Sequence, residues 1–224
     1  MNALLDKIRS RGYWRVLVRP SQFAEQRVDD ISALKPILQK SSVRLRTWDF
    51  PHVNGRGKAY KDVDAIVQEF EWEEYHEFWR FYQSGQFIYY GGFVSDWRES
   101  ASGHRDVERE KTLRAVDIVV RFTEVFEFAA RLALSQVADT QTHIEIKASG
   151  LRNRILRFNP EKYDPWPTLK AHVGEFLFED DVPNATLMAE SRELALIAAR
   201  ELFKRFDWDA SLEILRDMQT TLRN

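Results

Sequence analysis

Alternating apolar and polar positions predict several β-strands along the chain. Residues 13–19 place three apolar side chains on one face, and residues 43–50 alternate in a similar way. Helical spacing over roughly 31–41 predicts a helix between them, which Pro36 either kinks or delays. Strand, helix and strand in such close succession favour a crossover unit with parallel strands, although other pairings stay open.

The region from 65 to 94 carries the clearest β pattern. A strand over 65–72 is followed by two apolar-rich runs, 75–83 and 86–94, that flank the dipeptide Ser84-Gly85. Two residues of this kind between two apolar runs are typical of a β-hairpin. Because aromatic side chains lie on both faces of the hairpin, we expect other elements to cover the sheet on both sides.

Apolar residues at helical spacing predict four further helices. A short one covers 2–10, a long one covers about 105–136, and two more close the chain over about 184–206 and 210–222. The long helix is apolar over most of its surface, so we expect it to be central. Its charged residues, mostly of alternating sign, fall on one stripe that is expected to face water. That stripe comprises Arg114, Asp117, Arg121, Glu124, Glu127 and Arg131.

Together these elements predict a single α+β domain over residues 1–224. We expect a mixed, mostly antiparallel sheet packed against the long central helix, with the C-terminal helices completing the core. A second hairpin, formed by 143–148 and 152–158, would extend the sheet. If the domain has a minor internal boundary, we expect it near 159–168, where three prolines lie close together.

The composition excludes several classes of protein. The chain contains no cysteine, which rules out disulfides, zinc–thiolate sites, iron–sulfur sites and a cysteine nucleophile. A hydrophobic content of 44% rules out an intrinsically disordered chain. No apolar run, signal peptide or lipidation motif indicates a membrane, so we expect a cytoplasmic protein. No motif indicates a cofactor, and we expect none.

The formal net charge of −2 conceals an uneven distribution. Residues 1–60 carry twelve Lys and Arg against five Asp and Glu, whereas residues 61–224 carry 21 against 30. A basic N-terminal quarter indicates either a polyanionic partner or internal pairing with the acidic remainder. Internal pairing is the favoured interpretation, because most charge clusters are solvated faces or ion pairs within the fold.

One set of basic residues is the candidate for nucleic-acid or phosphate binding. Part of it lies around a glycine-containing loop, where backbone N–H groups are accessible and arginine can bind phosphate bidentately. The other part lies on the second predicted hairpin, and a groove forms if folding brings the two parts together. The set comprises Arg44, Arg46, His52, Arg56, Lys58, Arg152, Arg154 and Arg157.

Asp139, Glu145 and Lys147 are the candidates for metal-dependent nuclease chemistry. Glu145 and Lys147 share one face of a predicted strand, an arrangement that presents a metal ligand beside a lysine. The same pattern also describes an ordinary exposed strand face. The five histidines show no ligand spacing, and no metal site is assigned.

Three stretches resemble a family of uncharacterised bacterial proteins. They read VRLRTWDFPH over 43–52, FWRFYQSGQF over 78–87 and FEFAARL over 126–132. The resemblance implies a bacterial cytosolic protein and brings no activity and no catalytic residue with it.

We therefore expect a non-catalytic binding or assembly module of a bacterial cytosolic multi-component system. It would act through contacts with a protein partner or with a second copy of the chain. Aromatic side chains in or beside loops are the candidate partner contacts, namely Trp97, Trp166 and Trp208. Two alternatives stay open: a nucleic-acid-binding component that uses the basic N-terminal quarter, and the metal-dependent nuclease.

Overall fold

The computed structural model describes residues 2–53, 57–98, 111–159 and 168–220. Its strands are β1 (Tyr13–Pro20), β2 (Lys58–Lys61), β3 (Ala65–Trp72), β4 (Tyr75–Tyr82), β5 (Phe87–Gly92), β6 (Thr112–Arg114), β7 (Gln141–Ser149), β8 (Ile155–Arg157) and β9 (Glu175–Pro183). Its helices are α1 (Ala3–Arg9), α2 (Leu34–Ser41), α3 (Ala115–Leu132), α4 (Asn184–Phe203) and α5 (Leu212–Thr220). Short 3₁₀ turns cover Ile31–Ala33, Val94–Asp96 and Lys204–Phe206.

Seven strands form one sheet in the order β2-β3-β4-β5-β1-β7-β9. Every neighbouring pair in it is antiparallel. The parallel pairing that a mixed sheet requires occurs instead in a separate two-stranded pair, β6 with β8. The predicted α+β class is confirmed, with β4 and β5 forming the expected hairpin around Gly85, which has a φ of +84°.

Helices cover the aromatic part of the sheet on both faces, as predicted. The side chains of Trp14, Val16 and Val18 alternate toward α3, which contacts α4 and α5 on its far side. On the opposite face, Leu4 and Ile8 of α1 pack against Val67, Phe78 and Tyr90. The long helix is therefore central, and burying both faces explains why both carry aromatic residues.

The predicted strand over 43–50 and its parallel crossover are wrong. Two hydrogen bonds join Val43 and Phe50, with N···O distances of 2.8 and 2.7 Å, and close residues 44–49 into a loop. Within the loop the side chain of Arg46 turns inward to a carboxylate on α3, a contact between distant segments that the alternating pattern does not report. The helix before it starts late, at Leu34, so that Pro36 lies in its first turn, where a missing N–H costs little.

The second predicted hairpin is also wrong. After β7 the chain turns at Gly150 and Asn153, both of which have positive φ, and β8 pairs with β6 rather than with β7. The partner of β7 on that side is β9. The long helix begins at Ala115, later than predicted, because 112–114 form β6.

Two further predictions lie partly outside the described residues. The parts outside are positions 105–110 of the long helix and positions 160–167 of the minor domain boundary. None of the described helices combines the length and apolar character that crossing a lipid bilayer requires.

Candidate functional site

The charged stripe of α3 is buried at its centre by the loop that follows α2. Arg46 of this loop binds the carboxylate of Glu124 bidentately, with Nε–Oε1 and Nη2–Oε2 distances of 2.8 and 2.7 Å. The side chain of Glu124 is only 1% exposed, and its Oε2 lies 3.4 Å from Nη1 of Arg121. Burial lowers the pKa of Arg46, but the Glu124 carboxylate outweighs that effect and raises it. One buried carboxylate thus fixes two guanidinium groups.

These two guanidinium groups line a cavity of about 100 Å³ beside the N-terminus of α3. Arg98 and Arg114 line it as well, and we call this cavity the arginine pocket. Asp117 is the carboxylate in its wall. With Glu124 behind the wall and Glu74 beside Arg98, four positive charges face three negative ones among the described residues.

Arg121 is the most deeply buried cation of the arginine pocket. The residue is 9% exposed, and its Nε has no hydrogen-bond partner among the described residues. Its guanidinium carbon lies 4.9 Å from the ring centroid of Phe50 and 5.0 Å from that of Tyr89. The aromatic faces offset part of the cost of burying this charge, yet they accept no hydrogen bond in the plane of the guanidinium. The guanidinium of Arg121 is thus held in place by Glu124 and by two aromatic rings.

The other two arginines lie at the mouth of the arginine pocket. The side chains of Arg98 and Arg114 are 59% and 62% exposed. Arg98 Nε lies 3.4 Å from Glu74, and Arg114 Nε lies 4.0 Å from Asp117, so both cations are only loosely paired. Arg114 is also the N-cap of α3 and makes no side-chain cap bond. The partial positive charge of a helix N-terminus adds to that of the arginines.

A buried ion pair positions the wall of the arginine pocket. The guanidinium of Arg154 is fully buried and binds both carboxylate oxygens of Asp96, at 2.7 and 2.8 Å. It also donates to the hydroxyl of Ser95 and to the carbonyl of Thr112, two residues of the pocket wall. Gly12 is required beside it, because an added Cβ would lie 2.4 Å from Nη2 of Arg154.

Five ring-bearing side chains form a second feature at the end of the β3–β4 hairpin. We call it the aromatic cluster, and it comprises Trp48, His52, Phe70, Trp72 and Tyr75. His52 stacks on Phe70 with centroids 4.6 Å apart and an interplanar angle of 9°, and Trp48 meets Tyr75 edge-on at 4.4 Å. Trp72 is 49% exposed, so an unshielded aromatic face remains at the surface.

A buried carboxylate orients the histidine of the aromatic cluster. Oε2 of Glu77 lies 2.8 Å from Nδ1 of His52, whose backbone carbonyl accepts a hydrogen bond of 2.7 Å from Nε1 of Trp79. Burial raises the pKa of Glu77, but the hydrogen bond from His52 and the charge of Arg121 outweigh it, so the pKa is lowered. Burial also raises the pKa of the neighbouring Tyr89 phenol. Glu77 is thus held as a carboxylate and Tyr89 as a neutral phenol.

Comparison with known proteins does not identify the chain. No family model, curated protein or solved structure matches it. The function is therefore inferred from the geometry of the site alone, and the resemblance to uncharacterised bacterial proteins remains a prediction.

Each of the three nuclease candidates has its own partner within the fold. Asp139 accepts hydrogen bonds from the backbone N–H groups of Gln22 and Gln141, at 2.8 and 3.0 Å. Glu145 pairs with Arg15, and the amine of Lys147 pairs with Glu175 at 2.8 Å. Over the ranges that the structure describes, no group of three metal-ligating side chains comes together. Each candidate thus holds neighbouring segments of the fold together.

The predicted nucleic-acid set is divided among different surroundings. Arg46 lines the arginine pocket, and His52 belongs to the aromatic cluster. Arg157 lies opposite Arg114 in the β6–β8 register, which places it beside the pocket mouth. The assignment of Arg154 to the nucleic-acid set is wrong, because its guanidinium is fully buried and its hydrogen bonds are made to the protein itself. Exposed members are Arg44 and Arg152, in loops, and Lys58, on the edge strand β2, and Arg56 lies outside the described residues.

Two of the three predicted partner-binding tryptophans pack against other side chains of the fold. Trp208 packs edge-on against Phe158 and Phe203, with centroids 4.7 Å from each. The ring of Trp97 lies 4.0 Å from that of His76 and 4.1 Å from the guanidinium carbon of Arg11. Both are half-buried, and Trp166 lies outside the described residues.

Sequence reasoning missed three of the four arginines in the pocket. Arg114 and Arg121 were assigned to a water-facing stripe, and Arg98 was not singled out. The signal that points to Arg121 is its place in a helix that is apolar on nearly all sides, because a charge there needs a partner from elsewhere.

Proposed function

We propose that the protein is a non-catalytic binding module that holds a phosphate-type anion of its partner in the arginine pocket. The observation that carries this proposal is the pair Arg46 and Arg121, which Glu124 fixes beside a small cavity lined by four arginines and one carboxylate. Guanidinium groups held in place bind phosphate with little loss of conformational freedom. We also propose that the protein acts within a bacterial cytosolic multi-component system, through protein–protein contacts or self-association.

The size of the arginine pocket limits what it can hold. A cavity of about 100 Å³ is smaller than the sites of roughly 300 Å³ and more that enclose whole small molecules. It suits one anionic group that projects from a larger ligand. The rest of that ligand would then lie outside the pocket.

The test is titration of the full chain with inorganic phosphate and pyrophosphate, followed by isothermal calorimetry and thermal unfolding. We expect binding that weakens with added salt, because the contacts are between charges. Arg98→Gln and Arg114→Gln change exposed side chains at the pocket mouth, so the fold should persist. Each should weaken binding about tenfold, the value of one charge-assisted hydrogen bond.

The matched control is Arg205→Gln, which removes an exposed arginine that does not line the pocket. It should leave phosphate affinity unchanged. Absence of binding by the wild-type protein, or equal effects of all three substitutions, would overturn the proposed function.

A further inference from the structure

We infer that the anion held in the arginine pocket is a backbone phosphate of a single-stranded nucleic acid, with an adjacent base stacked on the aromatic cluster. This inference rests on the proposed function and adds the class of ligand. It is carried by the proximity of two features with different chemistry: a cationic cavity for one phosphate and an exposed aromatic face.

The arginine pocket and the aromatic cluster are joined through two segments. Arg46 of the pocket and Trp48 of the cluster belong to the same loop, two residues apart. Arg98 pairs with Glu74, the residue that precedes Tyr75. Burial and the charge of Glu74 raise the pKa of the Tyr75 phenol, and the charges of Arg98 and Arg46 oppose that rise. The arginine pocket and the aromatic cluster therefore share the loop after α2 and are linked again through the Arg98–Glu74 pair.

The aromatic cluster offers the surface that an unpaired base requires. Trp72 is 49% exposed. The centroid of its ring lies 6.4 Å from that of Tyr75, and the two ring planes are nearly parallel, at an angle of 24°. Stacking of a base on such a face is tolerant of sequence and strengthens binding about tenfold to hundredfold. In a duplex the bases already stack on one another, so these rings favour a single strand.

Exposed basic residues surround the pocket. Arg98 and Arg114 lie at its mouth, and Arg44 is exposed in the same loop as Arg46 and Trp48. A phosphate backbone needs successive cations along its path, whereas a single phosphorylated side chain needs only the pocket. The arrangement thus favours a nucleic acid over a phosphopeptide.

The test compares four ligands by fluorescence anisotropy with the full chain: a thymine oligonucleotide, an abasic oligonucleotide of equal length, a duplex and a phosphoserine peptide. We expect the thymine single strand to bind at least about tenfold more tightly than the other three. Equal affinity for the abasic strand or the duplex, or tighter binding of the peptide, would overturn this inference.

Substitution of the exposed ring separates this inference from the proposed function. Trp72→Ala should weaken binding of the thymine strand about tenfold and leave affinity for inorganic phosphate unchanged, and Trp72→Phe should restore part of the loss. Phe23→Ala is the control, because Phe23 is an exposed aromatic residue outside the aromatic cluster. Phosphate binding with no effect of Trp72→Ala refutes the stacked base alone, whereas failure to bind phosphate at all refutes the proposed function.

Discussion

Arg152 and Arg154 stand two positions apart in the same turn, but only Arg154 enters the interior. Its guanidinium binds Asp96 through two hydrogen bonds and donates from Nε to the carbonyl of Gly150 at 3.1 Å. Burial raises the pKa of Asp96, but the hydrogen bonds from Arg154 outweigh it, so the pKa is lowered. A buried charge of this kind is stable only while its partner remains, because either ion alone would be desolvated without compensation.

We predict that Arg154→Met lowers the free energy of unfolding by about 3–5 kcal/mol, since it leaves Asp96 buried without a counter-charge. Urea denaturation followed by circular dichroism measures the change. Arg152→Met is the control, and because Arg152 is exposed its effect should stay within about 0.5 kcal/mol. A similar loss for both variants would contradict the assignment of the ion pair.

At the scale of elements, the loop over 43–53 shows how a strand-like pattern can form something else. It is held at one end by the hydrogen bonds between Val43 and Phe50, at the middle by Arg46 on Glu124, and at the other end by Trp79 Nε1 on the carbonyl of His52. These contacts press the loop onto α3 and β4. The loop therefore supplies residues to both the arginine pocket and the aromatic cluster.

We predict that Arg46→Gln loosens this loop and lowers the free energy of unfolding by about 2 kcal/mol, since Glu124 is left buried while Arg46 itself is partly exposed. Backbone amides of 43–53 should exchange hydrogen faster, which mass spectrometry detects. Arg44→Gln provides the comparison, because Arg44 is exposed and donates only to the carbonyl of Thr47. Unchanged exchange in Arg46→Gln would show that the ion pair does not hold the loop.

At the scale of the whole molecule, much of the uneven charge is neutralised within the fold. Basic residues of the N-terminal quarter pair with acidic residues of the remainder, as in Lys7–Glu71, Arg15–Glu145, Arg27–Asp139 and Arg46–Glu124. Each pair joins segments distant in sequence. Internal pairing thus accounts for part of the positive charge of the N-terminal quarter.

The same pairings predict a loss of stability in acid. The pKa values of Glu77, Asp96 and Asp139 are lowered in the folded state, so the unfolded chain binds protons first as the pH falls. The stabilisation is complete above the ordinary carboxyl pKa values of 3.8 to 4.5 and is lost as the pH falls through the folded-state values.

Urea denaturation between about pH 7 and pH 3 checks this expectation, and the free energy of unfolding should fall below about pH 4.5. Glu77→Gln should make that fall less steep, because one of the shifted carboxyls no longer titrates. A free energy of unfolding that is independent of pH over this range would contradict the lowered pKa values.

The candidate site was only partly predictable from the sequence. Arg46 and His52 belong both to the predicted nucleic-acid set and to the candidate site, because their residue types suit phosphate and bases. Arg121 was misplaced because helical spacing reports which residues share a face and does not report what covers that face. Arg154 was misassigned because a positive charge looks the same in sequence whether it meets water or Asp96.

The α+β class, the β4–β5 hairpin and the central position of α3 could all be predicted from the sequence. Each follows from periodicity over neighbouring residues, and burial imposes that periodicity locally. The loop over 43–50, the pairing of β8 with β6 and the cavity shared by four arginines could be recognised only in the folded chain. These outcomes depend on contacts such as Arg46–Glu124, 78 residues apart, and Arg154–Asp96, 58 residues apart. No local pattern selects one carboxylate among 35 as the partner of a given arginine, because that choice depends on which segments the fold brings together.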